Sequence, residues 1–319
     1  MKAFTGENVI PHKEQPDSVS LGSMDSLLAT ILPEIGGKVA SITFDGHELL
    51  QQPLLPYTER TPEMKFEESD ASGWDDCLPS VAACELQSQG KSVAIPDHGD
   101  LWRAPWTILS ATSEQLILRG KTSSLPLLVD RTTTVTDNVL RMSYSLHNHS
   151  QERVPYLWSA HPLFQVAEGD RLILPDEVHE LTLEGSAGDR LGKPGSRIPW
   201  PIAPLANGGK VDLSLAGAYA DNTGDKLFTN VLSERSCTLE RPSIGLKLRL
   251  EFDTSVSPIL GLWLCYGGWP QGAAKRQYCI AIEPCSGIGD SLASTLRQAR
   301  SLAPGEWDRW TIKLTVERL

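Results

Sequence analysis

No stretch of this sequence is apolar for long enough to cross a bilayer as a helix. The most apolar run, residues 259–266, is eight residues long, where a spanning helix needs about 20. Residues 1–8 also lack the apolar segment of a secretory leader, so the expectation is a cytoplasmic protein with no membrane partner. Positive charge is the scarcer sign, 29 Lys and Arg against 40 Asp and Glu, and the formal net charge of -11 disfavours nucleic acid, whose phosphates would be repelled. The six cysteines form no Cys-x-x-Cys pair and several sit in apolar surroundings, which predicts reduced, structural thiols. The Gly-x-Ser-x-Gly elbow of a serine hydrolase is missing, and Gly36-Gly37 is too short to cradle a phosphate. Asp97, His98 and Asp100 are neighbours, but no ligand spacing typical of a metal site accompanies them. Neither a metal nor a cofactor is expected.

What is abundant is turn chemistry, with 26 glycines and 22 prolines punctuating short segments rich in β-branched and aromatic residues. Residues 28–32 and 39–44 read as strands, the second turning at Asp45-Gly46, a hairpin signal. Residues 107–147 read as an antiparallel meander with a tight turn at Asp137-Asn138, and residues 246–252 alternate apolar and polar as a half-buried strand does. Residues 187–222, rich in Gly, Pro, Ala and Ser, are expected to form a long loop excursion. One helix is predicted late in the chain, from the spacing of Leu292, Leu296, Ala299 and Leu302, with Asp290 capping its start and Pro304-Gly305 ending it. No repeat or domain boundary stands out. The prediction is an all-β fold, a single large antiparallel β-sandwich over residues 1–319.

Three stretches carry the chemistry. Residues 96–106 set His98, Asp97, Asp100 and Arg103 among Trp102 and Trp106; residues 156–164 set His161 inside an apolar run; residues 281–285 set Glu283 at the end of another. Ionisable groups beside large apolar side chains are costly unless they find partners. Each also has a plainer reading: Asp-His-Gly is good turn chemistry, and a histidine in a strand is often a satisfied core imidazole.

The ordered set Gly73-Trp74-Asp75-Asp76-Cys77-Leu78-Pro79, His98-Gly99 with Arg103 and Trp106, Trp158-Ser159-Ala160-His161-Pro162, Asp225-Lys226-Leu227-Phe228, Ile282-Glu283-Pro284 and Ala303-Pro304-Gly305-Glu306 resembles the aldose 1-epimerase (galactose mutarotase-like) family. It runs from about residue 31 to residue 316. The resemblance implies a β-sandwich of the supersandwich type. It also implies catalysis by Glu283 as general base and His161 as general acid, with His98 as second histidine at the ring oxygen and neighbouring hydroxyls, and it places Asp225 where an acid binds sugar hydroxyls. The sequence departs from the family at residues 73–79. Galactose mutarotases carry an Asn-Arg pair there and hexose-6-phosphate mutarotases an Arg-Gly-Gly run, against Trp74-Asp75-Asp76 here.

The implied reaction interconverts the α and β anomers of a hexose. A proton leaves the C1 hydroxyl, another reaches the ring oxygen, and the ring opens and recloses. A neighbouring carboxylate is expected to favour protonated His161. Arg103, Asp225, Trp74, Asp75 and Asp76 are the candidate sugar-binding residues, with Trp74 or Trp102 stacking on the ring. The acidic balance around them predicts a neutral or weakly charged hexose over a sugar phosphate. The plainer alternative is that Asp75 and Asp76 only cap a turn and pair with Arg103. The rival functions are a carbohydrate-binding or regulatory protein without turnover, or a sugar-phosphate mutarotase.

Overall fold

The expected alternation from residue 246 to 252 is realised as a strand, Leu246–Phe252, that buries Leu246, Leu248, Leu250 and Phe252. Lys247, Arg249 and Glu251 point away from the core, as a period of two requires. In the structure, a computed structural model describing residues 16–88 and 91–319, such strands build two large antiparallel sheets. Residues 1–8, read above for a leader, lie outside the described residues. Among the described residues no helix is long and apolar enough to cross a membrane.

The first sheet has 11 strands and the second eight. The centre of the first runs Lys38–Phe44, Trp74–Cys77, Ser159–Gln165, Tyr278–Cys285, Ile259–Tyr266, Thr223–Phe228. The meander expected in residues 107–147 is present as four successive neighbours, Thr107–Ala111, Gln115–Lys121, Leu127–Thr136 and Val139–Asn148, at one end of the second sheet. The Asp45-Gly46 turn joins Lys38–Phe44 to His47–Glu48 with φ of 51° and 77°, the left-handed pair that suits the twist of a hairpin. The two sheets face each other across one apolar layer. Within it the Tyr144 and Trp310 rings stack at 5.1 Å and Trp158 meets Trp310 edge-on at 4.7 Å.

Two local expectations are corrected. Helix covers only Leu292–Thr295, and its cap is Ser291, whose Oγ accepts the Ser294 amide; Asp290 does not cap it. The chain turns at residues 295–299 and becomes the strand Arg300–Leu302, paired with Val154–Tyr156. Leu302 is thus buried from a strand, while Leu296 is left exposed; long-range pairing overrides a helical spacing of only four positions. Residues 187–222 are not an irregular excursion either. They hold an edge strand, Arg197–Pro199, on Glu180–Ser186, and a hairpin, Ile202–Pro204 with Lys210–Asp212. Leu191, Ile198, Ala203 and Leu213 from this region join the main core. All six cysteines are unpaired, and all but Cys84 are buried.

Candidate active site

The site grows from one row of residues across the first sheet. Cross-strand register pairs Phe228 with Gly261, Gly261 with Glu283, and His161 with Asp75. The pairs Ser159 with Cys285 and Leu163 with Ala281 carry the same register across the remaining gap, which sets His161 opposite Glu283. The alternate residues Ala160, Phe164, Leu262, Ile280 and Ile282 enter the apolar layer between the sheets. The His161–Glu283 row therefore stands on the other face of the sheet. Gly261 makes room for it: a β carbon there would lie 3.0 Å from Glu283 Oε2 and 3.1 Å from Phe228.

His98 arrives from a loop over this face. Its backbone is left-handed, φ 58°, its amide donates to the Val81 carbonyl at 2.5 Å, and Gly99 beside it is so close to Leu78 that a β carbon would meet the Leu78 carbonyl oxygen at 2.2 Å. The imidazole stacks on Phe66 with centroids 3.6 Å apart and 8° between planes, and its Nδ1 lies 2.9 Å from Asp97 Oδ2. His98 and His161 rings meet edge-on at 5.1 Å. Together with Lys226, Asp290 and Trp269 these groups line a cleft of about 250 Å³.

In the cleft, His161 Nε2 is 3.8 Å from Glu283 Oε1. Glu283 Oε2 accepts a hydrogen bond from Lys226 Nζ, which also lies 3.5 Å from Asp290 Oδ1. Among the described residues, Glu283 Oε1 and His161 Nδ1 have no hydrogen-bond partner. Burial raises the Glu283 carboxyl above the ordinary glutamate value, against the pull of Lys226 and helped by Asp290. Burial, followed by the charges of His98 and Lys226, holds His161 well below the ordinary histidine value. The expectation of a protonated His161 is thus corrected: desolvation is the largest influence and disfavours the charged imidazole, and the neighbouring cations act in the same direction. Burial opposes the charge of Lys226 too, but Asp290 and Glu283 outweigh it and raise that ammonium above the ordinary lysine value.

His98, His161 and Glu283, separated by up to 185 positions (283 − 98) in the chain, are brought together. The five expected sugar-binding residues lie outside the cleft lining. Trp74 and Asp76 fall on the core face of their strand, Trp74 against Phe164 and Asp76 paired with Arg131 at 2.8 Å. Asp75 shares the face of His161 but is held by Lys38 at 2.5 Å in a buried cluster with Asp70 and Arg60. Arg103 donates to the Pro62 carbonyl and lies 3.6 Å from Asp100, so the alternative pairing of Asp75 and Asp76 with Arg103 is not the one formed. Asp225 is wholly buried, gripped by Arg190 and by Ser186 Oγ at 2.6 Å. Lys226, its neighbour, enters the cleft from the other face of the strand. Leu227 in the main core was the available signal, because a residue two positions from it on a strand shares its face and Asp225 is that residue. Phe66, Trp263, Gln277 and Asp290 also line the cleft without having been assigned to it: Phe66 and Gln277 sit in segments with no distinctive sequence pattern, Trp263 lies in the apolar run 259–266, and Asp290 was read as a helix cap.

No protein-family model matches the sequence, and no curated protein does. Solved structures do match. The Slr1438 protein from Synechocystis sp. PCC 6803 is 18% identical, with a TM-score of 0.73 over 100% of this chain and 99% of that one. A galactose mutarotase-like protein from Lactobacillus casei ATCC 334 is 16% identical, with a TM-score of 0.69 over 94% and 100%. An aldose epimerase homologue from C. elegans is 16% identical, with a TM-score of 0.63 over 96% and 100%. With its two antiparallel sheets and a likeness that spans nearly the whole of each chain, this protein has the β-sandwich fold of the aldose 1-epimerase and galactose mutarotase-like proteins.

Proposed function

We propose that this chain is an aldose 1-epimerase that interconverts the anomers of a neutral hexose. The observation that carries the reading is the pairing of Glu283 Oε1, free of protein partners, with His161 Nε2 at 3.8 Å in the same cleft. Glu283 takes the proton of the C1 hydroxyl, the C1–O5 bond breaks to leave the open-chain aldehyde, and His161 delivers a proton to the departing ring oxygen. Rotation about C1–C2 and reclosure by the reverse transfers give the other anomer, so no proton is gained or lost over the cycle.

An imidazolium whose acidity is strengthened by burial is a willing donor. Burial moves Glu283 up and His161 down, so the titrations of the two groups are coupled and the rate follows a bell whose two apparent values belong to the pair. Asp97 holds His98 Nδ1, leaving Nε2 for a sugar hydroxyl, while Trp269 offers apolar ring surface to the sugar. Lys226 is the one Lys or Arg among the lining residues, and it is engaged by two carboxylates; Glu67 and Asp97 add acid. A phosphate ester, with close to two negative charges, would find no free cation there among the described residues.

Polarimetry from the pure α anomer, or NMR exchange between anomers, tests this with glucose, galactose and glucose 6-phosphate at equal concentration. Accelerated exchange of a neutral hexose is expected. Thermal stabilisation by sugar without acceleration would replace the epimerase by a binding protein, and preference for the phosphate ester would overturn the substrate assignment.

A further inference from the structure

Glu283 is wholly buried, and a carboxyl in such a place tends to hold its proton, which would leave it useless as a base. The groups facing it from each surrounding element are few. Lys226 comes from the strand Thr223–Phe228, Asp290 from the loop after Tyr278–Cys285, His161 from Ser159–Gln165 and His98 from the overlying loop, while Glu184 of the strand Glu180–Ser186 bears on Asp290 and Lys226 from the side. Three thiols also lie near, Cys77, Cys279 and Cys285. Burial pushes the first two well above the ordinary cysteine value and Cys285 up to about 12, so they stay neutral.

Lys226 is therefore the cation that touches Glu283. Its ammonium hydrogen-bonds Oε2 and reaches toward Asp290 Oδ1 at 3.5 Å, while lying 5.3 Å from the centroid of the Phe228 ring. The missing side chain at Gly261 leaves the space in which Oε2 sits. With Oε2 occupied, Oε1 is the oxygen left facing His161.

We propose that Lys226 is the positioning residue of this site: it keeps Glu283 ionised, fixes which carboxylate oxygen meets the substrate, and is itself anchored by Asp290. The inference rests on the reading of Glu283 as the base. It makes the pair Lys226–Asp290 a setting device for the pH range of the reaction. Removing the ammonium leaves a buried carboxyl beside a second acid, so Glu283 gains affinity for its proton. Removing the charge of Asp290 does the opposite, because the acid that raises Glu283 is gone and Lys226 has one carboxylate fewer to serve.

Infrared titration of the protonated carboxyl band that is lost in Glu283→Gln reads the ionisation without any turnover, and the pH profile of anomer exchange reads its consequence. In Lys226→Met the band should persist, and the acid limb of exchange should move up, by about one pH unit or more. Lys226→Arg keeps the charge and should bring both back to within a few tenths of a unit of wild type. Asp290→Asn, which leaves the Lys226–Glu283 pair in place, should move both down. An unmoved band and limb in folded Lys226→Met, or an upward shift in Asp290→Asn, would overturn the proposal. A band that shifts as stated in a protein that exchanges no sugar at any pH would uphold the role of Lys226 on Glu283 and sink the epimerase reading instead.

Discussion

Replacing Asp76 by asparagine removes the partner of a guanidinium that has no access to water. Arg131 crosses from the second sheet into the layer between the sheets. There it bonds Asp76 at 2.8 Å and the Gly37 carbonyl, and it lies 5.0 Å from the Trp106 ring, with both charged side chains 0% exposed. Burial raises the Asp76 carboxyl above the ordinary aspartate value even against the pull of Arg131, so the charged pair is held at a cost and contributes little net stability. Breaking it is another matter. A buried charge left without its partner costs about 3–5 kcal/mol. For 319 residues the unfolding entropy is about 0.7 kcal/mol/K, so Asp76→Asn should lower Tm by about 4–8 °C. The double replacement Asp76→Leu with Arg131→Met removes both charges and should recover most of that loss or exceed wild type. Calorimetry on Asp76→Leu, on Arg131→Met and on the double variant provides the cycle. KM for the sugar should stay as in wild type, since Asp76 faces the core and not the cleft. A wild-type Tm in Asp76→Asn, or a KM raised tenfold with Tm unchanged, would refute the structural role argued for this residue.

Asp70 lies 3.1 Å from Lys38 and is paired with Arg60; although burial opposes its charge, these two cations hold its carboxyl down to about 2. Its contribution to stability is complete above the ordinary aspartate value near about 4 and is lost as pH falls through about 2. Melting curves of Asp70→Asn should accordingly be lower at neutral pH and flatter in that acid window, and an acid slope equal to that of wild type would contradict the assignment. Gly261→Ala puts a methyl 3.0 Å from Glu283 Oε2 and 3.3 Å from Cys285 Sγ. Overpacking of about 1–3 kcal/mol should cost a few degrees of Tm, while displacement of the base should lower exchange about 10-fold to 100-fold; unchanged exchange would count against the crowding argument.

The strand pattern was legible because strands in a half-buried sheet announce themselves at a period of two, as Leu246–Phe252 does. Residues such as His161 and Glu283 were legible for the opposite reason: each interrupts an apolar run, which a core alone does not explain. Less visible was the face on which a polar residue falls when its neighbours are polar too. Asp75 and Asp76, or Asp225 and Lys226, are adjacent in sequence yet point to opposite sides of the sheet, and a shift of one position exchanges a core ion pair for a cleft residue. Partners were hidden as well. Lys38, Arg131 and Arg190 claim three of the acids assigned to the sugar, and each comes from a strand or loop at least 35 positions away. The charge state of His161 follows from burial, which no local pattern reports.

The central claim, that Glu283 is the base of a ring-opening reaction, is met most directly by comparing anomer exchange of wild type and Glu283→Gln under saturating neutral hexose. The glutamine keeps the size of the side chain and one oxygen, but it takes up no proton. The account predicts a fall in kcat by a factor of roughly 10² to 10⁴ in a folded variant that still binds the sugar. Exchange within a few-fold of wild type in that variant would contradict it.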